Sequence, residues 1–123
     1  MRMVSKEKFH KVYLQCLGRL EKYITPDMVS DMAHHDRSWA REGWSLTNYY
    51  RAEWEDYWRA YKTACQNTGD RARICDCGGL IGMFGIVMRK LGFEVTIIEA
   101  LKYYGDAFEG LYQFLGSGGG GIH

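Results

Sequence analysis

Two acidic residues bracket a glycine-rich segment of this chain, and the chemistry they suggest is the capture of a nucleotide. The run Arg73-Ile74-Cys75-Asp76-Cys77-Gly78-Gly79-Leu80-Ile81-Gly82 takes an apolar strand into a glycine turn, and Val95-Thr96-Ile97-Ile98-Glu99 is a second apolar strand ending on a carboxylate. With a helix between them, these segments read as a nucleotide-binding βαβ unit, in which backbone amides at the helix start face the ligand. Gly78 and Gly79 permit a tight turn and close ligand approach, and Gly82 lets the helix lie near the strand. Glu99, at the C-terminal end of its strand, can accept two ribose hydroxyls in a bidentate fork. The competing reading of Glu99 is a solvated acid that caps the helix following it.

The strict G-x-G-x-x-G spacing of a dinucleotide site is absent from Gly78-Gly79-Leu80-Ile81-Gly82, which argues against a nicotinamide cofactor. With Asp76 two residues before Gly78, the segment instead resembles motif I of the class I S-adenosylmethionine-dependent methyltransferases: an apolar strand, an acidic residue, then G-x-G-x-G. Gly78 and Gly82 match the outer glycines, and Leu80 departs from the middle one. The resemblance spans about Arg71 to Leu115. It implies that S-adenosylmethionine is the cofactor, with Glu99 on the ribose hydroxyls, Gly78, Gly79, Leu80 and Gly82 close to the methionine part and Ala100 and Leu101 flanking adenine. By the same resemblance Asp76 orders the loop or meets the amino group through water. An aromatic helix before the unit closes over the cofactor, with Tyr49, Tyr50, Tyr57 or Trp58 as the residue that does so; Tyr50 is taken as the cofactor contact. No catalytic residue is assignable and no metal is implied.

The elements that must position these residues follow from periodicity. Phe9, Val12, Tyr13, Cys16, Leu17, Leu20 and Tyr23 recur at helical spacing from Lys6 to Ile24. Thr25-Pro26-Asp27 starts a short helix through Met28, Val29 and Met32, and Trp39 to Ser45 reads as irregular. From Thr47 to Gln66, Tyr50, Trp54, Trp58 and Tyr61 predict one long helix with a wide aromatic face, serving the core, a ligand cleft, or both. Asn67-Thr68-Gly69-Asp70 is turn chemistry. Arg73 to Cys77 then reads as a strand, Gly82 to Leu91 as a helix stopped by Gly92, Phe93 to Glu99 as a strand and Tyr103 to Leu115 as a last helix. The expected organisation is a helical region with an aromatic lid over 1–66, a βαβα cofactor-binding unit over 71–115 and a flexible glycine-rich tail over 116–123. The expected fold class is α/β, with N-terminal helices before a Rossmann-like methyltransferase half whose sheet is incomplete.

A whole enzyme of that kind carries seven strands, and parallel sheets need cover and neighbours. The expectation is therefore a truncated piece of a longer enzyme, a subunit completed by a partner, or a homo-oligomer, with the chain too short to be active alone. The favoured function is the S-adenosylmethionine-binding part of a methyltransferase for a small-molecule acceptor. The alternative is a non-catalytic interaction or oligomerisation module that retains the half-fold.

Composition bounds these readings. The 123 residues suffice for one domain. Sixteen basic and fifteen acidic residues leave a net charge of +1, so no electrostatic footprint for nucleic acid or an anionic membrane is present. No apolar run approaches the length of a membrane span, and no signal sequence precedes the four cysteines, which points to a cytoplasmic chain with free thiols. Cys75 and Cys77 share one face of a strand and read as buried structural cysteines. His34 and His35 are adjacent, diverge by about 100 degrees on a helix and read as surface or hinge residues.

Overall fold

A computed structural model describes residues 3–23, 45–67, 73–77 and 82–98. Helix α1 (Lys6–Glu21) begins where Ser5 accepts the Lys8 N–H at 3.1 Å, a side-chain cap that satisfies one of the amides the first turn leaves unpaired. Phe9, Val12, Tyr13, Cys16, Leu17 and Leu20 form its buried stripe, as their three- and four-residue spacing requires.

The aromatic segment is two helices, which corrects the expectation of one. Helix α2 (Leu46–Ala52) starts at the Ser45 cap, whose hydroxyl accepts the Asn48 N–H, and α3 (Trp54–Asn67) follows after Glu53. The break has a partner in α1. The Tyr50 carbonyl, which a continuous helix would offer to the Trp54 N–H, accepts the buried Tyr13 hydroxyl. The Glu53 carbonyl then opens the next helix by accepting from Asp56 at 3.0 Å and Tyr57 at 3.4 Å. A hydroxyl from another element redirects the chain here, and local periodicity carries no record of it.

Strand β1 (Arg73–Cys77), helix α4 (Met83–Lys90) and strand β2 (Glu94–Ile98) form a βαβ unit. The strands pair in parallel, with Ile74 beside Val95, Asp76 beside Ile97 and Cys75 beside Thr96. Strand alternation sends Ile74, Asp76, Val95 and Ile97 to one face and Arg73, Cys75, Cys77, Glu94, Thr96 and Ile98 to the other. Helix α4 covers the first face. It ends in a Schellman arrangement: Gly92 adopts φ 103° and donates to the Arg89 carbonyl, and the Phe93 N–H reaches the Met88 carbonyl at 3.0 Å.

One hydrophobic core joins the helical region to the βαβ unit. Phe9, Tyr13, Leu17, Tyr50, Trp58 and Tyr61 belong to the same buried cluster as Met83, Val87, Met88, Phe93, Val95 and Ile97. The rings of Phe9 and Tyr61 lie 5.2 Å apart, and Tyr61 meets Phe93 edge-on at 6.2 Å. The Tyr61 hydroxyl accepts the Val4 N–H at 2.9 Å, so the polar end of this buried ring is used. The described part is therefore a mixed α/β arrangement of four helices and a two-stranded parallel sheet. Among the described residues no helix is long and apolar enough to cross a membrane. The expected helices over 25–32 and 103–115, the two adjacent histidines and the glycine-rich tail lie outside the described residues.

Candidate functional site at the start of helix α4

Three of the nine residues expected to touch a cofactor are described: Tyr50, Asp76 and Gly82. Gly78, Gly79, Leu80, Glu99, Ala100 and Leu101 lie outside the described residues. Gly82 precedes α4 with φ 78° and ψ 14°, a left-handed conformation that costs glycine nothing and strains a residue with a Cβ. Its carbonyl accepts the Ile86 N–H at 3.0 Å, so the helix starts at this turn.

Asp76 is the last residue of β1 on the α4 side of the sheet. Its side chain is half-buried, with Oδ2 out of solvent. Its charge is felt by Tyr57 of α3. Burial pushes the Tyr57 hydroxyl well above the ordinary tyrosine range, and the Tyr49 hydroxyl and the Asp76 carboxylate push it in the same direction. The Tyr57 ring stacks on Phe84, the second residue of α4, at 5.5 Å. The aromatic helix thus lies over the N-terminal end of α4, the end at which the glycine turn arrives.

The four aromatic candidates differ in their surroundings. Tyr50 is 1 % exposed and Trp58 also belongs to the core, whereas Tyr57 is half-buried and Tyr49 exposed. Tyr50 contributes its backbone carbonyl to Tyr13 and its ring to the stack with Tyr57 at 6.4 Å. Tyr57 feels the Asp76 carboxylate and stacks on the start of α4 through Phe84.

Gly85 was missed in reading the glycine segment. A Cβ built on it would lie 2.6 Å from Ile97 Cδ1 and 3.2 Å from Val95 Cγ1, so its bare backbone lets α4 lie against β2. Its signal was the spacing Gly82-Met83-Phe84-Gly85, the G-x-x-G half of a phosphate-binding turn, in which the last glycine serves helix–strand packing.

The cysteine pair is a correction. Cys75 and Cys77 are exposed, not buried, because both point to the sheet face opposite α4. Cys16 is the buried thiol, and burial raises its pKa above the ordinary range. Among the described residues no cluster of three or more metal-ligating side chains forms.

No protein family, curated protein or solved structure matches this chain.

Proposed function

We propose that the chain binds S-adenosylmethionine at the turn between β1 and α4, as the cofactor-binding part of a methyltransferase for a small-molecule acceptor. The observation that carries the reading is the parallel β1–α4–β2 unit with Gly82 in the left-handed region at the head of the helix and the Asp76 carboxyl at the adjoining end of β1. This arrangement is where an open α/β unit takes its ligand: beyond the carboxyl ends of the strands, against helix amides.

The two described backbone-proximal positions fit such a group. Gly82 supplies a backbone free of Cβ, and Asp76 supplies a partly desolvated carboxylate able to accept an amino group directly or through water. On the motif resemblance, Glu99 would hold the ribose hydroxyls, Gly78 to Gly82 would pass the methionine part, and Ala100 and Leu101 would flank adenine. Tyr57 is the better lid residue than Tyr50, since it stacks on Phe84 at the start of α4 and is half-buried, while Tyr50 is buried in the core. When bound, the cofactor supplies an activated methyl group; the protein's part is to position the acceptor in line with it and to exclude water.

The deciding experiment is calorimetric titration of the 123-residue chain with S-adenosylhomocysteine, with molar mass followed by light scattering. Saturable one-to-one binding that Glu99→Ala weakens at least tenfold supports the site. Absence of binding together with a concentration-dependent dimer replaces it with the interaction-module reading.

A further inference from the structure

The face of the sheet turned away from α4 carries two thiols in contact. Cys75 Sγ and Cys77 Sγ lie 3.7 Å apart, joined by an S–H···S contact, and both thiols are exposed. Their spacing follows from the strand: residues two apart stand on the same face, about 6.6 Å between Cα atoms. Side chains standing parallel on one strand face keep their Cβ atoms nearly as far apart, beyond the roughly 4.5 Å a disulfide takes, so an S–S bond would demand movement of β1, which its pairing with β2 resists. An ion placed between the sulfurs demands none. Two metal–sulfur bonds of about 2.3 Å meeting at the angle of a three-coordinate ion set their sulfurs about 4.0 Å apart, a small side-chain adjustment from 3.7 Å.

We propose that Cys75 and Cys77 form a dithiol chelate that takes one soft, thiophilic metal ion between its two sulfurs. The pair is independent of the proposed cofactor site, because strand alternation sends Asp76 to the opposite face. Binding forms two metal–sulfur bonds and releases two thiol protons to solvent, with no change of oxidation state. The class of ion is set by the donor set. Two thiolates with no third protein ligand among the described residues suit an ion content with few, soft donors, of which monovalent copper is the clearest case, its remaining position open to an external thiol.

The test is anaerobic titration of the reduced full chain with monovalent copper against a chromophoric copper chelator. One ion per chain is expected, with the Cys65→Ser control unchanged. Cys75→Ser and Cys77→Ser should each weaken binding at least tenfold. Both side chains are exposed on the strand, so far-ultraviolet circular dichroism should be unaltered; Cys75→Thr and Cys77→Thr, which keep strand propensity, repeat the test if serine disturbs folding. Phenylarsine oxide gives a second readout: condensation with two thiols forms two arsenic–sulfur bonds and one water, so two titratable thiols should vanish per arsenic. Copper uptake undiminished in the double Cys75→Ser/Cys77→Ser variant, or full affinity in either single variant, would overturn the proposal.

Discussion

Gly85 of α4 and Ile97 of β2 approach so closely that a single added methyl group on Gly85 would come within 2.6 Å of Ile97 Cδ1 and 2.8 Å of Cγ1. The contact holds the helix against β2, whose last residue, Ile98, precedes Glu99 in the sequence. Gly85→Ala gains about 1 kcal/mol of helix propensity. Against that stands an overpacking cost of about 1–3 kcal/mol, since β-branched Ile97 cannot swing aside freely. A net loss of about 1 kcal/mol is expected in urea unfolding. Ile97→Val removes the Cδ1 atom and should make the double variant more stable than the sum of the single effects. Strict additivity would show that the two residues do not crowd each other.

Gly18 is the opposite case. It lies on the exposed side of α1, and a Cβ there meets nothing within 4 Å. Gly18→Ala should stabilise the protein by about 0.5–1 kcal/mol through helix propensity and the reduced freedom of the unfolded chain. Thermal unfolding checks this, and a lowered midpoint would contradict it.

Tyr13 anchors the α2–α3 break. Tyr13→Phe keeps the ring but leaves the Tyr50 carbonyl without its hydroxyl donor in a buried place, at a cost of about 1–3 kcal/mol. Hydrogen exchange should rise first in residues 50–57. A uniform change across the protein would mean that the hydroxyl does not hold the break.

High pH should unfold the protein through its buried phenols. Burial raises the Tyr13 and Tyr57 hydroxyls far above their usual value of 10.0, so the folded state keeps both protons where the unfolded chain gives them up. Stability from these groups is complete below pH 10 and falls as pH rises above it, by about 1.4 kcal/mol per pH unit for Tyr13 alone. Tyrosinate absorbance should show a late, cooperative fraction coincident with loss of circular dichroism, and Tyr13→Phe should remove part of it. Simple titration of every tyrosine near pH 10 with the fold intact would refute this.

At the proposed cofactor site, the bidentate role of Glu99 predicts a loss of about 1.5–3 kcal/mol for Glu99→Ala, or about 10- to 150-fold in affinity for S-adenosylhomocysteine. Tyr57→Ala should weaken binding through loss of the ring that stacks on Phe84 at the start of α4. Equal affinity for wild type and Glu99→Ala would move the site elsewhere.

By itself the sequence determined the local elements. Strand β2 forms over the β-branched run Val95 to Ile98, α4 stops at Gly92 because only a residue tolerant of positive φ closes that helix, and the stripe from Phe9 to Leu20 faces inward as its period requires. These features arise from neighbours within a few positions. Tertiary structure decided everything that depends on a partner distant in the chain: the break at Glu53, made where the Tyr13 hydroxyl meets the Tyr50 carbonyl; the stacking of Tyr57 on Phe84 at the start of α4; and the need for glycine at position 85. The cysteine pair shows the same division. Alternation placed Cys75 and Cys77 on one face, but which face α4 covers is settled by packing, because a period-two pattern tells the two sides of a strand apart without saying which one is buried.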